Sequence, residues 1–216
     1  MALSTSLRSA HAAAVELPKP AIDLAADKNA KEGQVHTAVF AGGCFWCVEG
    51  VFLQLQGVKT AVSGYAGGTK ETAHYDIVCS GITRHAESVK ITYDPKKITY
   101  GELLRVLFTA IDPTTRDQQG PDVGHQYRSV VFYLDEDQKK VAEAYIQQLD
   151  KTKIFPRPIA TTLEPLKVEE FYPAEDYHQN YVACHLNNPY VRQQALPKIE
   201  KVRDKFKDEV KPQEGK

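Results

Sequence analysis

The sequence of 216 residues lacks several features that would place it in a special class of protein. No apolar run approaches the ~18 residues that a membrane-spanning helix needs, so we expect no contact with membranes. The formal net charge of −1 predicts no basic surface for nucleic acid. Four cysteines in a chain of this length are too few for a fold held together by disulfides. We therefore expect a globular protein, with a monomer as the default.

The beginning of the chain also lacks a recognisable secretory signal. The segment "MALSTSLRSAHAAAVELPKP" has no acidic residue before Glu16, but it has no clear apolar h-region either. Residues 1–34 show no apolar period and predict a flexible arm, and residues 208–216 predict a frayed tail. Residues 35–207 are expected to form one catalytic domain. The cytoplasm is the default location, and export is the alternative if a signal peptide was removed.

Strand and helix patterns alternate between these two ends. The stretch "HTAVFAG" (36–42) reads as a buried strand, and the apolar spacing after it predicts an amphipathic helix. Further strands are predicted in "VKTAVSGYAGG", "ESVKITYD", "QYRSVVFYL" and "IATTLEPL". Further helices are predicted after "TYGE" and in "DEDQKKVAEAYIQQL", "AEDYHQNYVACHL" and "LPKIEKVRDKF". The alternation predicts a single α/β or α+β domain. We expect α+β, with a ferredoxin-like mixed or antiparallel sheet flanked by helices.

The only tryptophan of the chain stands between two cysteines in "AVFAGGCFWCVEGVF" (38–52). Cys44 follows a glycine pair at the predicted strand-to-helix turn, where unpaired N–H groups and the helix dipole favour an anion. We therefore expect a lowered pKa for Cys44 and a nucleophilic thiolate. Cys47 lies one helical turn further on, so its Cα atom is expected ~5–5.5 Å from that of Cys44, which a disulfide accepts.

The residues alone leave several interpretations of this stretch open. Four interpretations fit the two thiols. They are inert core residues, a redox pair, two ligands of a zinc knuckle, or a pair that includes the nucleophile of a hydrolase or acyltransferase. A zinc knuckle needs two ligands besides Cys44 and Cys47, and the chain has no second C-x-x-C. The candidates left for these two ligands are Cys79, His85, Cys184 and His185. A thioredoxin-like enzyme is consistent with a C-x-x-C after a strand, but Phe-Trp between the thiols suits a small apolar group better. A hydrolase needs a base beside Cys44.

The segment "GCFWCVE" (43–49) resembles the G-C-F-W-G signature of the peptide methionine sulfoxide reductases of the A type. Further blocks that resemble this family follow in its order, over residues 36–190: "GYAGG", "YDIVCSGITRHAESVKITYDP", "DPTTRDQQGPDVGHQYRS" and "YPAEDYHQNY". The resemblance implies reduction of methionine sulfoxide, free or in proteins, and thus repair of oxidised proteins. It also implies selectivity for the S epimer. No metal and no bound cofactor are implied, and thioredoxin or another dithiol is the expected reductant.

The resemblance also implies the catalytic residues. Cys44 matches the nucleophile that attacks the sulfoxide sulfur and ends as a sulfenic acid. Glu87 matches the acid that shares a proton with the sulfoxide oxygen, and a carboxyl with a raised pKa suits that task. Tyr75 and Tyr127 match the hydroxyl donors to the same oxygen.

The substrate-binding residues are implied in the same way. Phe45 and Trp46 match the apolar pocket for the S-methyl group of the substrate. Asp122 matches a carboxylate near that pocket, and His178 belongs to a family block in which it is expected to support the pocket. Glu49 matches the Glu of the signature, either as a support behind the pocket or as a charge in the first helical turn.

The chain departs from the family at the cysteine that resolves the sulfenic acid. Many members carry recycling cysteines in a glycine-rich C-terminal tail, but "LPKIEKVRDKFKDEVKPQEGK" contains none. Cys47 replaces the last Gly of the signature and is our favoured resolving thiol, which leaves a disulfide for thioredoxin. Cys184 is the rival, and Cys79 is expected to be a structural thiol in a short buried strand.

Overall fold

The computed structural model describes residues 16–24, 31 and 33–212. The strands are β1 (His36–Gly42), β2 (Val58–Ala66), β3 (Ala86–Tyr93), β4 (Gln118–Gln119), β5 (Asp122–Val123), β6 (Ser129–Tyr133), β7 (Thr162–Pro165) and β8 (Tyr172–Pro173). The helices are α1 (Phe45–Phe52), α2 (Tyr75–Cys79), α3 (Tyr100–Ala110), α4 (Glu136–Thr152), α5 (Tyr181–Cys184) and α6 (Leu196–Lys205). Within the described residues, no helix has both the length and the apolar character needed to cross a membrane.

Six strands form one sheet in the order β7-β6-β1-β3-β2-β8. Neighbouring strands are antiparallel except for β6 and β7, which run parallel. The chain order β1-α1-β2-β3-α3-β6, with β1 and β3 in the middle of the sheet, is the split βαβ arrangement of ferredoxin-like folds. The expected α+β domain with a mixed sheet flanked by helices is thus confirmed.

Strand β1 is buried on both faces of the sheet. Phe40 points into the larger core, which α1, α3, α4 and α6 share with the sheet. Val39 and Ala41 point the other way because side chains alternate along a strand, and Leu166 and Phe171 belong to the smaller core there. This arrangement explains the apolar run of β1, and it places the end of the strand deep in the molecule.

Two predicted elements differ from the observed ones. The helix predicted in "AEDYHQNYVACHL" is split into a 3₁₀ turn at Asp176–His178 and the short helix α5. Asn180, which separates them, has a φ of 51°. A left-handed residue cannot continue a right-handed helix, which accounts for the break. Cys79, which was expected in a buried strand, instead ends helix α2 and is half-buried.

Part of the predicted flexible arm is packed against the domain. Leu17 is buried, and its carbonyl accepts a hydrogen bond from Arg105 Nε at 2.9 Å. Asp23 accepts the backbone N–H of Gly101 at 2.7 Å, at the start of α3. Residues 16–24 are therefore held in place and are not a free arm. The remainder of the predicted arm, at residues 1–15, 25–30 and 32, lies outside the described residues.

The predicted frayed tail is also partly packed. Val210 pairs with Leu55 in an isolated bridge, and the carbonyl of Glu209 accepts the N–H of Gln56 at 2.7 Å. These contacts attach the chain that follows α6 to the turn that follows α1. Residues 213–216 lie outside the described part of the chain.

Candidate active site

Cys44 occupies the N-cap position between β1 and α1, as the sequence pattern predicts. Gly43 before it has a φ of 87°, and a Cβ atom on it would lie 2.5 Å from Cβ of Gln119. Only glycine satisfies both conditions without strain. The close approach of Gln119 brings the β4–β5 hairpin, and with it Asp122, over the turn that carries the thiol.

Cys44 and Cys47 form a buried, hydrogen-bonded pair of free thiols. Burial raises the pKa of Cys44 well above its ordinary value, and the hydrogen bond with Cys47 and the charge of Glu87 raise it further. The hydrogen bond from Cys44 lowers the pKa of Cys47. The expectation of a lowered pKa for Cys44 is therefore wrong for the substrate-free site, because burial outweighs the helix N-terminus. Of the two thiols, Cys47 therefore loses its proton more readily than Cys44.

The pKa of Cys47 also depends on groups around it, of which the charge of Asp122 raises it. The hydroxyl oxygen of Tyr190 lies 4.0 Å from Cys47 Sγ, and the same hydroxyl donates to Asp122 Oδ2 at 2.5 Å. The positive charge of Lys198 also lowers the pKa of Cys47. The hydroxyl group of Tyr190 thus connects Asp122, which was predicted near the substrate pocket, with the thiol of Cys47. Neither Tyr190 nor Lys198 carried a signal in the sequence, because both come from the chain after the quoted family blocks.

Glu87 lies on β3 and is 2% exposed. Its Oε2 atom accepts the N–H of Phe45 at 3.0 Å, which is one of the unpaired donors at the start of α1. Burial raises the pKa of Glu87 to about 8, with a smaller contribution from the charge of Asp122. At pH 7 the carboxyl group is therefore mostly protonated, and a protonated carboxyl group is able to donate its proton.

Tyr75 and Tyr127 lie close to the same centre. Burial raises the pKa of both hydroxyls, and the charges of Cys79, Glu87 and Cys44 raise both pKa values further. Both groups therefore remain protonated and able to donate over the physiological pH range. The structure brings these two predicted donors together with the predicted acid and nucleophile.

Trp46 forms an aromatic wall next to the thiol pair. Its ring stacks on Tyr181 with a centroid distance of 3.8 Å and an angle of 6°, and its Nε1 donates to Nδ1 of His178 at 3.1 Å. Phe45 packs against both of these rings, with its centroid 5.0 Å from that of His178 and 6.4 Å from that of Trp46. Tyr181 is the last residue of the block "YPAEDYHQNY", but nothing in the sequence predicted that it stacks on Trp46.

His178 supports the wall and does not serve as a base for Cys44. It is 1% exposed, and burial lowers its pKa, so the ring is neutral at pH 7. Indole N–H is only a donor, so Nδ1 is the accepting atom and Nε2 carries the ring proton. The base that a cysteine hydrolase requires is therefore not supplied by this residue.

The residues considered as zinc ligands have other contacts. Within residues 16–24, 31 and 33–212, no group of three or more His, Cys, Asp or Glu side chains is placed to hold a metal ion. His85 Nε2 lies 2.9 Å from the carbonyl of Thr69, and His185 Nδ1 lies 2.9 Å from the carbonyl of Tyr181. Cys184 is exposed on α5.

Comparisons with known proteins agree on one family. Residues 36–210 match the sequence model of the family described as "Peptide methionine sulfoxide reductase". The chain is 51% identical to "Peptide methionine sulfoxide reductase MsrA 2" of Mesorhizobium japonicum, over 83% of this chain and 91% of that protein. It is 48% identical to the MsrA protein of Thermus thermophilus, over 81% of this chain and 97% of that protein.

Two solved structures are similar in fold. The reduced form of Mxr1 from Saccharomyces cerevisiae aligns with a TM-score of 0.64 and 33% identity, over 74% of this chain and 90% of that chain. Methionine sulfoxide reductase A of Corynebacterium diphtheriae aligns with a TM-score of 0.63 and 32% identity, over 73% of this chain and 79% of that chain.

Proposed function

Because the chain belongs to the peptide methionine sulfoxide reductase family, and is therefore an oxidoreductase that reduces methionine sulfoxide, we propose that Cys44 and Glu87 carry this reaction on the S epimer. The observation that supports these roles is the buried carboxyl group hydrogen-bonded to the first N–H of α1, next to the thiol pair. A sulfoxide oxygen leaves sulfur only as it gains a proton, and Glu87 holds that proton at neutral pH.

The first step begins with a proton shift within the thiol pair. Cys47 is the more acidic thiol, and once it has ionised, transfer of the proton from Cys44 to Cys47 leaves the thiolate on Cys44. This thiolate attacks the sulfoxide sulfur and forms an S–S bond with it while Glu87 protonates the oxygen, with hydrogen bonds from Tyr75 and Tyr127. The S–O bond of the substrate and the new S–S bond then break as the hydroxyl moves to Cys44, which leaves methionine and a Cys44 sulfenic acid. The substrate sulfur is reduced by two electrons, and the Cys44 sulfur is oxidised by two.

The selectivity for one epimer follows from the two sides of the site. The S-methyl group of the substrate lies against Phe45 and Trp46, and the oxygen faces the three proton donors. The other epimer exchanges these two groups, so that its oxygen would lie against the aromatic wall without a hydrogen bond. Methionine sulfoxide is accepted free or within a polypeptide.

The second step forms a disulfide and releases water. The Cys47 sulfur attacks the Cys44 sulfenic acid, and the hydroxyl leaves as water. A dithiol reductant, for which we propose thioredoxin, then attacks Cys44, which is the less deeply buried residue of the pair, at 6% exposed against 0% for Cys47. Cys47 is the leaving thiol, and its lowered pKa speeds this step.

A coupled assay with separated S and R epimers tests the proposal. We expect thioredoxin-dependent reduction of the S epimer alone by the wild type, and none by Cys44→Ser. The Cys47→Ser variant is expected to release one methionine per enzyme and then to stop with thioredoxin. The Cys184→Ser variant is the matched control and is expected to recycle like the wild type.

Two results would contradict parts of this scheme. If neither epimer is reduced by the wild type, the assigned reaction is wrong. If Cys47→Ser recycles at the wild-type rate and Cys184→Ser does not, Cys184 is the resolving cysteine.

A further inference from the structure

Glu49 is a buried carboxyl group for which the mechanism above has no task. It is 2% exposed and lies on α1, one turn after Trp46. Its Oε1 atom accepts the N–H of Asn180 at 3.0 Å, and the carboxyl group also accepts the N–H of Tyr181. Burying a carboxyl group costs free energy unless the group is hydrogen-bonded. The hydrogen-bond partners of Glu49 therefore indicate its role.

These contacts lie on a short segment, residues 178–181, which we name the clasp. Each residue of the clasp makes a contact with α1 or β2. His178 accepts the indole N–H of Trp46, Gln179 bonds both backbone groups of Ser63 at 3.0 Å, Asn180 donates to Glu49, and Tyr181 stacks on Trp46.

The backbone of the clasp needs such support. Asn180 has a φ of 51°, in the left-handed region that residues other than glycine rarely occupy. Such a conformation persists only where the surroundings hold it. The N–H groups of Asn180 and Tyr181 are held by the Glu49 carboxyl group, directly before the ring that stacks on Trp46.

We propose that Glu49 is a positioning residue that fixes the clasp against α1, so that Tyr181 stays stacked behind Trp46 and the pocket admits a methyl group in preference to larger groups. This inference rests on the proposed function, in which Trp46 contacts the S-methyl group. Glu49 itself does not touch the substrate. It acts through Tyr181 on the position of the Trp46 ring.

The first test uses the fluorescence and near-ultraviolet circular dichroism of Trp46, which is the only tryptophan of the chain. Glu49→Ala removes the acceptor of the clasp N–H groups, and we expect a shifted emission maximum and a weaker aromatic dichroism band. Glu49→Gln keeps a carbonyl oxygen in the accepting position and is expected to restore the wild-type spectra. If Glu49→Ala does not fold, Glu49→Leu replaces it, because Leu fills the volume without accepting a hydrogen bond.

The second test measures kcat/KM for S-methionine sulfoxide and for its S-ethyl analogue. One extra methylene group in a tight apolar pocket lowers kcat/KM by about 10- to 200-fold. We expect Glu49→Ala to reduce the wild-type methyl-to-ethyl ratio by about threefold or more, and Glu49→Gln to retain it. Gln138→Ala is the control, since Gln138 is also buried and bonds the backbone of Thr37 at 2.8 Å, away from the clasp.

A Trp46→Ala variant separates the failure of this inference from that of the proposed function. If Trp46→Ala lowers the methyl-to-ethyl ratio but Glu49→Ala leaves the ratio unchanged, Glu49 has no positioning role, whatever its spectra show. If neither variant changes the ratio, the methyl pocket itself is wrongly assigned and the inference falls with it. Wild-type spectra for Glu49→Ala would also overturn it.

Discussion

Replacing Glu87 by Gln is expected to make the protein more stable at alkaline pH and nearly inactive. The amide keeps an oxygen for the N–H of Phe45, so the hydrogen bond at the start of α1 is retained. It has no proton to donate to the sulfoxide oxygen, and it does not ionise in the buried site. Stability and activity therefore move in opposite directions.

The magnitude follows from the pKa of Glu87. Burial raises it from 4.5 to about 8 in the folded protein, so between these pH values the folded state binds the proton that the unfolded state has lost. The free energy of unfolding therefore falls as the pH rises through this range. At about 1.4 kcal/mol per pKa unit, the wild type loses about 5 kcal/mol from this group by pH 9, and the variant loses none of it.

Urea unfolding at pH 5, 7 and 9 measures the stability of both proteins. We expect similar free energies of unfolding at pH 5 and a difference that grows to several kcal/mol in favour of Glu87→Gln at pH 9. Single-turnover release of methionine measures the chemistry, and the loss of a general acid is expected to slow it by about 10²- to 10⁴-fold. The wild-type rate is expected to fall as the pH rises through about 8, where Glu87 loses its proton.

Glu143→Gln is the control, because Glu143 is an exposed carboxyl group on α4. It is expected to change neither the pH dependence of stability nor the rate. The reasoning is refuted if Glu87→Gln is no more stable than the wild type at pH 9, or if it reduces the sulfoxide at the wild-type rate.

Three further predictions concern other parts of the site and its scaffold. Gly43→Ala introduces a Cβ atom 2.5 Å from Gln119 at a φ of 87°, and urea unfolding is expected to show a loss of about 2–4 kcal/mol. Asp23→Ala removes an acceptor at the start of α3 and is expected to cost about 1 kcal/mol in the same assay without changing kcat/KM. Tyr75→Phe removes one of two hydroxyl donors and is expected to slow single-turnover methionine release by about 10- to 100-fold, less than Glu87→Gln does. An unchanged rate would mean that this hydroxyl does not face the oxygen.

The sequence was sufficient to predict the elements that carry the site. The apolar period changes at Cys44 from that of a strand to that of a helix, and the structure has the turn at that residue. The resemblance to the family assigned Glu87, Tyr75 and Tyr127 to one site. In the structure all three lie near Cys44 at the start of α1. These predictions rest on local patterns and on a resemblance, which a single sequence contains.

The pKa values of the two thiols depend on tertiary structure and did not follow from local position. A helix N-terminus lowers a thiol pKa, but the burial of Cys44 under the hairpin that carries Gln119 is a property of the folded chain. The packing of residues 16–24 was missed for a similar reason. Leu17 and Leu24 contact the core, and the other contacts of this segment are hydrogen bonds and an ion pair between Glu16 and Arg105, so the sequence shows no apolar period there.

In the proposed mechanism, the thiol pair and the buried acid let the reaction proceed without moving charge into or out of a buried site. The charge that Glu87 carries when ionised raises the pKa of Cys44, so the protonated carboxyl group is the state that favours a thiolate on Cys44. In this mechanism the first step starts from one ionised thiol and the protonated carboxyl group of Glu87. After it, the sulfenic acid is neutral and Glu87 carries the charge. One negative charge is present throughout and only changes place, which avoids the large cost of burying a second one. Burial raises the pKa of Glu87, which lowers the free energy of unfolding at neutral pH. The same burial keeps the proton on Glu87 that the reaction transfers to the oxygen.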